Sequence, residues 1–408
     1  MIGTISMPLH PGKMPLWLCD RMGALSEAVI ESVIQNYGKS EVLARLSNPN
    51  WFQALGAVSG FQWNSSGVTA AVLGSVRGRI NRRSQELGLY IAGGKGKNSF
   101  FAPTQLQRYS DKTGLDGDQL SRSCSLTRRV DQNAVQDGYN LYQHHFIVSD
   151  EGQWTAISQG MSPNFRRARR YHVLGSELTD FVSDPHTGIV GERGQPIVNL
   201  ADARASQTRQ HIIEFVKDDP RQVVEASREL KFGDHHEVRK EDVDLKRLGA
   251  VLAMAHGKEI DNFEDLLMLK GVGPQTLRSL ALVSEVIHGD ASRFEDPARF
   301  SFALGGKDGR PSPIDRKAYD ETIAHLQESV EQSKLGYNEK SKALKRLHRA
   351  TRQVEETKAP EADIEAYAKA EWDRLEKEGG FTFMGKVVPG VTKAIMGLQN
   401  TLLYGKKR

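Results

Sequence analysis

The chain has 408 residues, 38% of them hydrophobic, enough for two or three packed domains, and it holds no run of about eighteen apolar residues that would span a membrane. Its 55 basic and 51 acidic residues leave a formal charge of +4, which excludes strong whole-molecule attraction to a polyanion; nucleic-acid binding would have to come from local patches. Cys19 and Cys124 form neither a C-x-x-C pair nor a disulfide framework, and Pro8, Pro11 and Pro15 interrupt the N-terminus, so a cytoplasmic chain without zinc knuckles or iron-sulfur clusters is expected.

In chain order, Leu18, Met22, Leu25, Val29 and Ile30 recur at helical spacing and predict a helix over 17–35, while the small residues of 67–80 suit close packing against a neighbour. Basic residues gather at Arg77, Arg79, Arg82 and Arg83, at Lys95 and Lys97, and at Arg166, Arg167, Arg169 and Arg170. Each group is either a solvated surface or a phosphate grip. Strand-like Leu89, Tyr90 and Ile91 run into Gly93, Gly94, Lys95, Gly96 and Lys97. That loop lacks the G-x-x-x-x-G-K-[ST] spacing of a nucleotide cradle, so its expected role is a DNA-phosphate contact through Lys95 and Lys97.

From 139 to 174 the hydrophobic period changes to two, and strands over 142–148 and 153–158 flank a turn at 149–152 carrying Asp150, Glu151 and Gly152. Pro185, Gly188, Gly191, Gly194 and Pro196 make 181–199 read as a loop that closes a first module. Helices are expected over 208–217, 220–229, 242–256 and 262–288. Glycine-rich loops at 305–314 then lead to a charged helical stretch, 316–378, and an apolar tail, 379–408, expected to dock or self-associate. The expected fold class is α+β: a mixed module 1–199, a mainly helical module 200–315, and an extension 316–408.

The clearest chemical signal is Leu266-Leu267-Met268-Leu269-Lys270-Gly271-Val272-Gly273-Pro274-Gln275-Thr276-Leu277. Gly271 and Gly273 permit a tight reversal, Val272 is the expected buried pin, and Pro274 suits a first helical turn, where its missing N–H costs nothing. Such a helix-hairpin-helix lets a phosphate approach backbone N–H groups and the positive end of the second helix, with Lys270, Gln275 and Thr276 adding contacts. The expected ligand is DNA held by its backbone with little sequence preference, and 206–289 is expected to bind it as a fragment.

A second candidate site surrounds the strand hairpin, where Asp137, His144, His145 and Asp150 are metal-capable and Arg169, Arg170 and His172 follow. A hard cation such as Mg²⁺ or Mn²⁺ held by Asp137, one imidazole and Asp150 would supply nuclease chemistry, with Arg169 and His172 assisting and Arg170 gripping the backbone. Because strand side chains alternate, His144 and His145 face opposite ways and only one joins such a site. The competing reading makes Asp150 and Glu151 turn residues and the histidines core hydrogen-bonders.

Taken together, Leu9-His10-x-Gly12-Lys13, Ser65-Ser66-Gly67, Gly93-Gly94-Lys95-Gly96-Lys97, Gln136-Asp137-Gly138-Tyr139, Leu141-Tyr142-Gln143-His144-His145, Gln159-Gly160-Met161, Ala168-Arg169-Arg170-Tyr171-His172 and Gly305-Gly306-Lys307-Asp308-Gly309 resemble the prokaryotic family catalogued as domain of unknown function 763, over about residues 3–336. That family often has Trp-His-Ser-Ser-Gly where this chain has Trp63-Asn64-Ser65-Ser66-Gly67. The resemblance implies a DNA-associated protein with a hairpin module. It adds weight to the Asp137 to His172 cluster, so a divalent-metal DNA nuclease is expected, the alternative being a non-catalytic DNA-repair or chromosome-associated binder.

Overall fold

The computed structural model describes residues 16–59, 66–162, 167–220, 245–255, 258, 260–298, 324, 328, 331, 381–382 and 385–386. The chain divides into two compact units, Met1–Phe302 with Ala324–Leu347, and Ala303–Ile323 with His348–Arg408. In the second, only the antiparallel pair Phe381–Thr382 and Gly385–Lys386 is described. His10, Ser65, Asn164, Arg166, the glycine-rich 305–314 and, beyond Pro220, the expected helix over 220–229 lie outside the described residues, as does nearly all of 316–408.

The first unit opens with helices α1 (Leu16–Tyr37), α2 (Lys39–Ser47), α3 (Pro49–Ser59), α4 (Ser66–Arg82) and the single turn α5 (Ser84–Leu87). Met22, Leu25, Val29 and Ile30, the stripe expected of α1, are all buried. The small-residue character of α4 has a direct use here. A Cβ on Gly23 of α1 would lie 2.5 Å from the Ser75 carbonyl oxygen of α4, so the two backbones touch where no side chain fits.

A five-stranded antiparallel sheet follows, in the order β1 (Leu89–Lys95), β2 (Asn140–Ser149), β3 (Trp154–Ser162), β4 (Arg167–Leu174), β5 (Gly188–Val190). The expected hairpin is β2–β3, longer at its open end than its hydrophobic runs indicate. The glycine run continues β1 as a strand because Gly93, at φ +90°, passes so close to β2 that a Cβ there would sit 2.2 Å from the His144 carbonyl oxygen.

Helices α1 to α4 cover one face of the sheet, and α6 (Ala102–Thr113) and α7 (Gly117–Arg129) cover the other. On the α6–α7 face Leu106, Leu120, Cys124, Phe146, Val148, Trp154 and Val173 form one buried cluster. Fully burying one such side chain stabilises by about 1.5–3 kcal/mol, so this face needs no polar tie to hold the helices down.

After α7 the chain passes through a π-helical turn, Val130–Ala134, into β2, and after β5 through β6 (Ile197–Val198) into α8 (Ser206–Lys217), α9 (Leu245–Ala255), α10 (Phe263–Met268) and α11 (Pro274–His288). β6 pairs with β7 (Arg293–Phe294). The segment 181–199, expected as a loop, therefore carries two strands. One core cluster runs through Leu126, Val135, Val198, Ile212, Leu252, Leu266, Val272, Leu280 and Val283. Residues on both sides of position 199 share that cluster. Among the described residues no helix is long and apolar enough to cross a membrane.

Candidate nucleic-acid interface

The hairpin forms where glycine placed it. Helix α10 has six residues, too few to stand alone in water, and it is held from both ends. At its start, Asn262 Oδ1 accepts from the Asp265 amide at 3.0 Å, a capping bond, and Arg122 of α7 reaches Asp265 at 2.8 Å. At its end, Arg129, the last residue of α7, donates to the carbonyl oxygens of Leu267 at 2.7 Å and Leu269 at 3.5 Å. A guanidinium on the last carbonyls of a helix satisfies orphan acceptors and complements the dipole at once.

The chain reverses through Leu269–Gly273, with Gly271 at φ +95° and Val272 packed into the core cluster as the pin. Gly273 is the N-cap of α11 and offers no side chain, and Pro274 occupies the first turn. Gln136 donates to the Pro274 carbonyl oxygen at 2.8 Å and ties the hairpin to the segment before β2. Lys270, Gly271, Gln275 and Arg278 are exposed around the start of α11. Thr276 was expected beside them, yet it is 1% exposed because helical rotation turns it to the core with Leu277 and Leu280.

Of the three basic groups, the Lys95–Lys97 loop keeps its charges in water: both lysines are exposed. Arg79 bonds Asp20 and Glu27, and Arg83 bonds Glu27, Glu31 and Glu86. Arg167 pairs with Glu192, and Arg169 and Arg170 are buried. The assignment of Arg170 to DNA contact is thereby corrected. It lies inside the sheet–helix interface, its Nε donating to His172 Nε2 at 2.9 Å, one terminal nitrogen donating to Thr69 Oγ1 at 3.2 Å, and its plane 4.6 Å from the Phe52 ring centroid.

The expected metal and catalytic set does not converge. Asp137 and Asp150 bracket β2, whose ten residues span about 33 Å when extended. Asp150 is turned outward to Lys39 at 2.5 Å, which also pairs with Glu151 at 2.9 Å. His144 and His145 do face opposite ways, as strand alternation requires, and both are buried. His144 lies between Ser158 Oγ at 2.9 Å and Cys124 Sγ at 3.4 Å on the α7 side; burial lowers it to about 4. His145 meets Gln143 at 3.3 Å, and burial, with His144 and Arg77 adding, lowers it to about 3. His172 donates through Nδ1 to the Leu46 carbonyl oxygen at 3.1 Å, while Nε2 accepts from Arg170, a neutral tautomer in keeping with a proton affinity that burial holds well below normal. Among the described residues no group of three His, Cys, Asp or Glu side chains could hold a metal ion.

Arg169 does meet Asp137, at 3.0 Å, but inside a closed network. Both of its terminal nitrogens also bond Asp296, at 2.9 and 2.7 Å, and Tyr171 donates its hydroxyl to Asp137 at 2.6 Å. Burial pushes the Asp137 carboxyl up against the opposing pull of Arg169, Tyr171 and the Tyr139 amide. The network joins β4 to the chain beyond β7, and is an architectural tie.

Arg129, Gln136 and Asp296 carry no local sequence signal for these roles, since each acts on a partner more than a hundred residues away. Phe100 and Phe101 did carry one: an aromatic pair three residues after a glycine–lysine run and just before a helix start is unusual for a solvated loop. They are 63% and 55% exposed.

These features define an α+β protein whose sheet is covered by helices on both faces and whose chain continues into a glycine hairpin between two helices. The chain belongs to the family described as protein of unknown function DUF763, whose model matches residues 3–314. No curated protein and no solved structure matches it.

Proposed function

We propose that the protein binds DNA through the sugar-phosphate backbone, using the α10–α11 hairpin. The observation that carries this reading is the start of α11: its N-cap, Gly273, has no side chain to stand between the helix end and a ligand, and exposed Lys270, Gln275 and Arg278 surround it. Backbone amides, a helix dipole and two cations suit a phosphate, and they read no base edges, so affinity is nearly independent of sequence and falls with salt. The separated positions of Asp137, His144, His145 and Asp150 bring no metal site together among the described residues, and DNA binding is the function proposed.

Gly273→Asp separates binding from folding. Gly273 has an extended backbone, φ −133° and ψ −179°, that any residue adopts, and aspartate is a good N-cap, so the variant is expected to melt at or slightly above the wild-type temperature. Its carboxylate would occupy the phosphate position and repel the ligand. Affinity for duplex DNA, measured by fluorescence anisotropy at low salt, should fall by at least about tenfold, a loss of about 1.4 kcal/mol. A stable Gly273→Asp protein that binds duplex as wild type does would overturn the hairpin reading.

A further inference from the structure

We propose that a second surface, formed by Phe100, Phe101, Lys97 and Arg128, stacks unpaired nucleobases, so that the preferred ligand is DNA with a single-stranded segment beside a duplex. The inference rests on the DNA-binding reading above and extends it to a substrate class.

The aromatic pair sits on the 3-10 turn Gly96–Phe101 that leaves β1. Two large apolar rings more than half exposed side by side are costly in water, and Leu106, Tyr109 and Leu120 close by show that buried positions exist on the same face of the sheet. The turn holds the rings out instead. Gly94 at φ +143° and Gly96 at φ +59° shape the bend, and Ser99, the buried residue of the turn, locks it by donating from Oγ to the Gly96 carbonyl oxygen at 2.7 Å.

The surroundings are cationic. Lys97 is exposed on the same turn, and the Arg128 guanidinium lies 4.1 Å from the centroid of Phe100; Lys95, which begins the turn, reaches to the α4 side of the sheet, its Nζ 5.8 Å from the Tyr142 ring centroid. Exposed rings set among cations fit a ligand that offers flat π-faces and a polyanionic backbone together, which is single-stranded nucleic acid. An apolar peptide would gain nothing from the cations.

Helix α7 places this surface beside the hairpin. Its last two residues divide the work: Arg128 contacts Phe100, and Arg129 holds the carbonyl oxygens of Leu267 and Leu269 where the hairpin begins. A duplex held at Lys270 to Gln275 therefore has the aromatic pair next to it across one helix end, where a frayed or unpaired strand would meet it.

The test uses full-length protein and fluorescein-labelled oligothymidine, blunt duplex, and the same duplex with a thymidine tail, read by anisotropy. Phe100→Ala with Phe101→Ala should weaken oligothymidine by at least about tenfold, remove the advantage of the tail, and leave blunt duplex within about twofold. Phe100→Leu with Phe101→Leu keeps an apolar surface without stacking and should bind as poorly as the alanine pair, while Phe100→Trp with Phe101→Trp should restore affinity. Wild-type affinity for oligothymidine in the leucine and alanine pairs overturns the proposal. So does a change in oligomeric mass by light scattering with DNA binding unaltered, which would make the rings a self-association face. If the Gly273→Asp variant loses blunt duplex while the phenylalanine variants change nothing, this proposal fails and the hairpin reading stands; wild-type protein that binds oligothymidine but no duplex overturns the hairpin reading and the junction preference together.

Discussion

Replacing Arg169 with methionine is expected to destabilise the protein by about 3–5 kcal/mol, much of the stability an ordinary domain has. Arg169 is 1% exposed and is the cation between the carboxylates of Asp137 and Asp296. Methionine fills a similar volume, so the loss comes from charge: two buried carboxyl groups would face each other with only Tyr171, the Tyr139 amide and the Gly194 and Ala298 amides to satisfy them. The Glu192 carbonyl oxygen, 2.6 Å from Arg169, would lose a donor as well. Urea unfolding of wild type and variant measures the difference. Adding Asp137→Asn and Asp296→Asn should recover most of it, because the buried charge is then gone. A single variant within about 1 kcal/mol of wild type would mean that water reaches the network and that it is no structural tie.

Acid should unfold the protein well before its carboxylates are neutralised. His144 and His145 titrate at about 4 and about 3 in the folded chain, against 6.5 when unfolded, because burial removes the water that would solvate an imidazolium. His172 is lowered in the same direction by burial, with Arg170 next to it adding to the effect. Above pH 6.5 all three are neutral in both states and have no influence. Below it the unfolded chain takes up protons that the folded chain refuses, so stability falls as pH falls. Between pH 6.5 and 5 the loss is about 2 kcal/mol for each of His144 and His145, at about 1.4 kcal/mol per pH unit. Asp137 and Glu264 work the other way, since carboxyls raised by burial bind a proton in the folded chain first, but the lowered carboxyls of Asp202 and Asp290 act with the three histidines. Unfolding free energies at pH 7.5, 6.5, 5.5 and 5.0 would show the slope, and His145→Gln should flatten it. Equal stability at pH 7 and pH 5 would contradict the closed, dry positions of these rings.

Much of the fold could be read from periodicity. Helix α1 announced its buried stripe, the β2–β3 hairpin its alternation, and the reversal at Gly271 its glycine and proline chemistry. Strands β5 and β6 were illegible because two or three residues hold no period, and Gly188 and Pro196 argue locally for a loop. Arginines were the greater difficulty. Arg169 and Arg170 read as accessible charge beside Arg166 and Arg167, and only their burial at successive positions of the strand, 1% and 0% exposed, shows that both faces of β4 are covered. Of the two acids that neutralise Arg169, Asp296 lies 127 residues downstream, beyond any local pattern. The candidate metal site failed for a related reason. Sequence proximity gathered Asp137 through Asp150, and an extended strand spreads such residues over its whole length and both faces.

The core shared across position 199 makes an isolated fragment 206–289 a poor binding module. It would lack Arg122, Arg129 and Gln136 for the hairpin, and Leu126, Val135 and Val198 for its core. The same sharing sets an order of events during synthesis. β6 pairs with a strand about 95 residues later, Val198 with Arg293. At about 5–20 residues per second, the ribosome takes about 5–20 seconds to supply that partner after β6 emerges. During that interval Val198 and Leu200 have their upstream neighbours, Val135 among them, and lack the downstream half of the cluster, so the nascent chain presents the adhesive surface on which chaperones act.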